Sequence, residues 1–159
     1  MASVLQTIVE KKHYAFVDKL DSWQQGVELS AKSLVADGSV DEDYYKQIVD
    51  CIEKYGPYVV FDHYVAMPHS QENAQGVHKT GIGFMRVKEP VSFGKDEDGE
   101  EKLAKLFFTL AACNPDEHLN NIQQLASLFC NEELLDALMA ANTPEDLLAA
   151  EAAHPIDEM

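Results

Sequence analysis

Arginine is almost missing from this chain. Among 159 residues only Arg86 carries a guanidinium, so an anion site here has at most one such fork to draw on. Cysteine is scarce too. Cys51, Cys113 and Cys130 are odd in number, lie at no metal-type spacing and are each flanked by apolar residues. That argues against a disulfide framework or a zinc module and reads as reduced thiols engaged in packing. No apolar run is long enough to cross a bilayer. The opening "MASVLQTIVEKK" lacks the basic-then-apolar order of a secretory signal, and a cytosolic protein is expected. Basic charge is outnumbered: 12 Lys+Arg face 28 Asp+Glu, a formal net charge of −16. Nucleic acid and anionic membrane are poor partners for such a surface, whereas a basic protein is steered towards it. The same acidity also serves solubility alone. The sequence has no G-x-x-x-x-G-K loop and no H-E-x-x-H or H-x-x-x-H pair, so kinase-like ATP binding, a metal and a cofactor are not expected.

What is present suffices for one core. Hydrophobic residues make up 46% of the chain, and a single domain over residues 1–159 is expected, with 154–159 as a frayed tail. "HYAFVDKL" reads as a strand. Ser22, with Gln25 three residues on, reads as a capping box opening a helix that "ADGS" stops. Asp41 is expected to open another, with Tyr44, Ile48, Ile52 and Tyr55 as its apolar stripe and Gly56-Pro57 as its end. "YVVF" and part of "DHYVAMPHS" read as short strands, and "QENAQG" as a polar loop. "TGIGFMRV" reads as a strand whose glycines mark a bulge or a close backbone approach. "KEPVSFG" reads as a turn and extended segment. "KDEDGEE" reads as a solvated hairpin end, because its D-x-D-G lacks the remaining ligands of a calcium loop. "LAKLFFTLAAC" fits helix or strand by periodicity, and its flanking turns favour a buried strand. Asn114 or Asp116 then caps a helix striped by Leu119, Ile122, Leu125 and Leu128. "NEELLDALMAA" is a further helix, and Thr143-Pro144-Glu145-Asp146 opens the last. The order predicts an α/β fold: a three-layer sandwich, a mixed β-sheet with helices on both faces.

Of the six histidines, His69 and His118 stand apart by context. His69 follows an apolar strand and a proline. His118 lies where a buried strand gives way to a helix. The carboxyl ends of strands are where α/β folds usually build sites. Two imidazoles at two such ends can face each other, one as nucleophile and the other sharing a proton or holding an anion. N–H groups at the helix start would also favour an anion. The alternative is that each is an ordinary surface or half-buried histidine, and spacing alone leaves this open. A metal site built from His63, His69 and His118 is a further alternative.

The residues "GPYVVFDHYVAMPHSQENAQGVHKTGIGFMRVKEPVSFG", with "LFFTLAACNPDEHLNNIQQLASLF" and "VDKLDSWQQGVELSAKSLVADGSV", extend the reading. They resemble the type-2 enzyme IIA domains of the bacterial phosphotransferase system, the mannitol/fructose class, over almost the whole chain. "AMPH", "GVHKTGIGF" and "KEPVSFG" match one hallmark, and the strand, polar turn and His-Leu at a helix start match the other. "YGPYVV" looks most like the ascorbate-specific branch. The resemblance implies that His69 accepts a phosphoryl group from the carrier HPr, on Nε2, and passes it to a cysteine of enzyme IIB. It implies that His118 contacts the phosphoryl group, and that a membrane permease, enzyme IIC, is served only indirectly. Ser70 is placed to donate a hydrogen bond to the phosphoryl oxygens. Many relatives carry Ala-Arg after Pro-His, where this chain has Ser70-Gln71. His118, Ser70 and backbone N–H groups are expected to take over from that guanidinium. The function implied is uptake of ascorbate or a related sugar acid or alditol. The alternative is a regulatory protein of the same fold, whose His69 phosphorylation other proteins read.

Overall fold

Side-chain caps set where the helices begin. Ser3, Ser22, Asn114, Asn131 and Thr143 each accept a hydrogen bond from the backbone N–H three residues on. The computed structural model describes residues 3–61, 63–69 and 76–156. The elements are α1 (Val4–Glu10), β1 (Tyr14–Val17), α2 (Trp23–Ala36), α3 (Tyr44–Tyr55), β2 (Val60–Phe61), β3 (Val65–Ala66), β4 (Gly81–Lys95), β5 (Glu101–Ala111), α4 (Pro115–Phe129), α5 (Glu132–Met139) and α6 (Pro144–Ala153). The strands form one five-stranded sheet in the order β1-β4-β5-β3-β2. β4 pairs antiparallel with β5 and parallel with β1, β3 pairs parallel with β5, and β2 closes antiparallel on β3.

Strand alternation sends successive side chains to opposite faces. Phe84, Leu106, Phe108 and Leu110 pack with α1, α4, α5 and α6 on one face. Met85, Val87, Phe107 and Ala111 pack with α2 and α3 on the other. This is the expected three-layer α/β sandwich with a mixed sheet. The glycines of β4 mark a close approach: a Cβ on Gly83 would lie 2.5 Å from the Ser30 carbonyl oxygen, so α2 rests its backbone directly on the strand. No helix among the described residues is long and apolar enough to cross a membrane.

Several local expectations are corrected. α1 gave no clear sequence signal, yet Val4, Leu5 and Ile8 are buried. The capping box at Ser22 is only half made, because the Gln25 side chain takes the Asp21 N–H instead. α3 begins at Tyr44 after Asp43, not at Asp41, whose carboxylate pairs with His78. Tyr55 and Leu119 leave their helices' apolar stripes and are each 55% exposed. "YVVF" shrinks to Val60–Phe61. "KEPVSFG" is no turn: β4 continues through it, absorbing Pro90 at a register shift between Arg86 and Val91. Of the tail expected to fray, 154–156 are tied to the domain and 157–159 lie outside the described residues. Asn131 donates to the carbonyls of His154 and Pro155, and Ile156 packs on the core.

Candidate active site

The parallel strands β3 and β5 end side by side, and each feeds one histidine into the same place. β3 exits through Met67 and Pro68. Met67 N–H donates to the Val59 carbonyl at 2.8 Å, and Leu110 N–H donates to the Pro68 carbonyl at 2.9 Å. Proline has no N–H to continue the ladder, so the chain leaves the sheet at His69. β5 ends at Ala111, and a short turn leads to Asn114, whose side chain caps α4 by accepting the Glu117 N–H at 2.9 Å. Pro115 occupies the first helical position, which fixes the helix direction and sets His118 in its opening turn. Thr80 ties this start to β4: its hydroxyl donates to the Glu117 carboxylate and accepts the Cys113 N–H.

The outcome is a pair of imidazoles. The rings of His69 and His118 have centroids 5.5 Å apart and are inclined at 45°. Both are half-buried. His69 Nδ1 lies 2.7 Å from the Met67 carbonyl oxygen. A carbonyl can only accept, so Nδ1 carries the proton and Nε2 keeps its lone pair. Burial pushes the His69 pKa below the ordinary imidazole value. The Met67 carbonyl partly opposes this, and the nearby His118 adds to it. At neutral pH His69 is therefore an uncharged ring with a fixed tautomer and one free nitrogen, which is what a nucleophile needs.

The helix start is less welcoming to an anion than its dipole suggests. Asp116 and Glu117 occupy the first turn of α4 and already answer the positive end. Nor does a guanidinium reach the site. Arg86 sits opposite Leu106, well down β5 from Leu110, and is only 4% exposed. Its Nη2 donates to Asn142 at 3.2 Å, its guanidinium lies 5.8 Å from the Phe16 ring centre, and its Nε is buried without a partner. Ser70 and Gln71 lie outside the described residues. His63 points elsewhere: its Nε2 is 2.7 Å from an Asp136 carboxylate oxygen on α5. Among the described residues no group of His, Cys, Asp and Glu side chains is arranged to hold a metal ion.

One neighbour was not foreseen as part of the site. Tyr58 donates its hydroxyl to the His69 carbonyl at 3.0 Å. Its ring stands edge-on to the imidazole, with centroids 5.4 Å apart and an interplanar angle of 89°. The sequence signal was only its place in "YGPYVV", eleven residues before His69.

Comparison with known proteins identifies the family. Residues 7–150 match the family described as "Phosphoenolpyruvate-dependent sugar phosphotransferase system, EIIA 2". A relative from Escherichia coli K12, the ascorbate-specific PTS system EIIA component, is 32% identical over 143 residues, covering 89% of this chain and 90% of that one. A PTS IIA structure (PtxA) from Streptococcus mutans superposes with a TM-score of 0.81 at 29% identity, covering 96% of this chain and 94% of that chain. The mannitol-specific cryptic enzyme IIA CmtB of Escherichia coli superposes with a TM-score of 0.75 at 29% identity, covering 87% and 91%. Family match and fold converge: the chain belongs to the type-2 EIIA family of the sugar phosphotransferase system and is a phosphotransferase component of it.

Proposed function

We propose that His69 is the phosphoryl-carrying residue, loaded by phospho-HPr and unloaded onto a cysteine of enzyme IIB. The observation that carries this reading is the Nδ1–H bond of His69 to the Met67 carbonyl, which leaves Nε2 unprotonated beside His118. In the first step the Nε2 lone pair attacks phosphorus. An N–P bond forms on His69 as the N–P bond of the donor breaks, and that electron pair returns to the donor imidazole. No proton need be lost. The ring gains cationic character, which the Met67 carbonyl stabilises through the retained Nδ1–H. In the second step an IIB thiolate attacks the same phosphorus, and the N–P electrons return to Nε2. Little covalent work falls to other groups: such a transfer rests on in-line positioning and on stabilising the equatorial oxygens. His118 is the residue for that stabilisation. Ser70, on the sequence reading, adds a hydroxyl donor.

The cargo we propose is ascorbate or a related sugar acid, supported by the 32%-identical relative of that name and by "YGPYVV". Incubation with phosphoenolpyruvate, enzyme I and HPr should add one phosphoryl group by intact mass, and His69→Ala should add none. Addition that survives His69→Ala sinks the assignment. His118→Ala should slow loading by about 10- to 100-fold, the loss expected for one hydrogen bond to a charged group. An unchanged rate and phosphohistidine lifetime would remove His118 from the mechanism. Transfer onward to an ascorbate-type rather than a mannitol-type IIB tests the cargo.

A further inference from the structure

The proline before His69 creates a problem that the backbone alone does not solve. Met67 is held through its N–H and Pro68 through its carbonyl, both by neighbouring backbone. The next carbonyl, that of His69, has passed beyond the ladder, and it belongs to the residue whose ring must be aimed. Its partner is the Tyr58 hydroxyl, at 3.0 Å. The same tyrosine sets its ring edge-on against the imidazole. It thus touches His69 at both backbone and side chain, while His118 touches the ring alone among these contacts.

Tyr58 is itself held firmly. Gly56 has φ 87°, a conformation open to glycine at little cost, and Pro57 stiffens the next step. Tyr58 N–H donates to the Gly56 carbonyl at 2.8 Å and Val60 N–H to the Pro57 carbonyl at 3.2 Å. The adjoining Val59 is fully buried and supplies the carbonyl that holds Met67. One short turn therefore grips the strand exit at Met67 and at His69. The phenol stays a donor at any working pH, because burial, with Cys51 of α3 beside it, pushes its pKa up to about 12.

We propose that Tyr58 is a positioning residue: its hydroxyl fixes the His69 carbonyl and its ring fixes the imidazole plane, so that Nδ1 stays on Met67 and Nε2 faces the incoming phosphorus. This rests on the phosphocarrier reading above. Without the hydroxyl the His69 peptide is free to rotate, and the short Nδ1–H link to the carbonyl two residues back loosens with it. The tautomer then mixes, and fewer collisions find Nε2 unprotonated and in line.

The test pairs nitrogen-15 NMR of the unphosphorylated His69 ring with loading kinetics from phospho-HPr, on wild type, Tyr58→Phe and Tyr58→Leu. Wild type should show one tautomer with Nδ1 protonated. Tyr58→Phe, which keeps the ring and loses only the hydroxyl, should show partial averaging of the two nitrogens. Its kcat should fall by about 3- to 10-fold with KM unchanged, the effect of one neutral hydrogen bond. Tyr58→Leu, which loses both contacts, should fall further, by about 10- to 100-fold. A Tyr58→Phe protein with the wild-type nitrogen pattern and a rate within about twofold of wild type overturns the proposal; since this variant is nearly isosteric, poor folding of Tyr58→Leu does not protect it. Wild type that takes no phosphate overturns the phosphocarrier reading instead, and the NMR arm still decides whether Tyr58 sets the imidazole.

Discussion

At the scale of single residues, the proposed phosphoryl transfer turns on keeping one imidazole uncharged. His69 holds its proton less readily when folded than when unfolded, chiefly because it is buried. Two consequences follow from that sign. An imidazolium has no lone pair at Nε2, so the loading rate should be flat through neutral pH. It should fall only as pH drops through the lowered value of the folded protein, which lies below the ordinary 6.5. Stability should move the same way. The unfolded chain binds the proton first, so the contribution from His69 is fully present above 6.5 and declines as pH falls. A rate–pH profile and urea unfolding at neutral and mildly acidic pH check both, with His69→Asn as reference. A loading rate that rises on acidification would show the acceptor nitrogen to be chosen by some other means. Elsewhere a histidine is tied to a carboxylate and keeps apart from this site. The buried His13 pairs with Asp37 at 2.6 Å. Burial opposes ionisation of Asp37, but its bonds to Ser39 and His13 win and hold its pKa at about 2.

At the scale of elements, the geometry depends on how two strands stop. β3 stops because proline removes a donor, and β5 stops at a turn that Asn114 converts into a helix. Capping and the proposed role of His118 are coupled at α4 because the cap and His118 share its first turn. Asn114→Ala should cost about 1 kcal/mol, the usual value of such a cap, and should also slow loading as the turn carrying His118 frays. Asn131→Ala is the matched control. It removes the cap of α5, which lies away from the paired rings, so it should lower stability by a similar amount and leave the loading rate unchanged. Denaturant unfolding and loading kinetics on both variants check this. Equal rates in the two proteins would mean that α4 is held by its packing at Leu125 and Leu128 rather than by its cap.

At the scale of the whole molecule, the acidic surface and the sandwich serve different ends. A formal net charge of −16 steers a basic donor without choosing where it lands. The association rate with the proposed donor, HPr, should therefore fall, by about tenfold or more, from low to physiological salt, while the chemical step in a preformed complex stays constant. Stopped-flow at several ionic strengths separates the two. Much of this protein was legible in its residues alone. Caps at Ser22, Asn114 and Thr143 and the apolar runs of β4 and β5 between turn residues are local signals, set by hydrogen bonding within a turn and by the residues that flank a strand. They gave the three-layer order, and context singled out His69 and His118. What local chemistry could not give was anything that depends on which strands become neighbours. The register of β3 on β5 sets the two rings 5.5 Å apart. The fold of the Gly56-Pro57 turn brings Tyr58 onto His69 across eleven residues. Exposure of Tyr55 and Leu119, burial of Arg86 away from the histidines, and the hold on residues 154–156 were likewise decided by packing. The sequence by itself determined the elements and the candidate nucleophile, because these follow from neighbours a few residues apart. Only the tertiary structure decided its companion and its tyrosine contact, because each joins segments that meet only when the sheet is assembled, and it held the strand exit in the shape that lets Nδ1 reach the carbonyl two residues back.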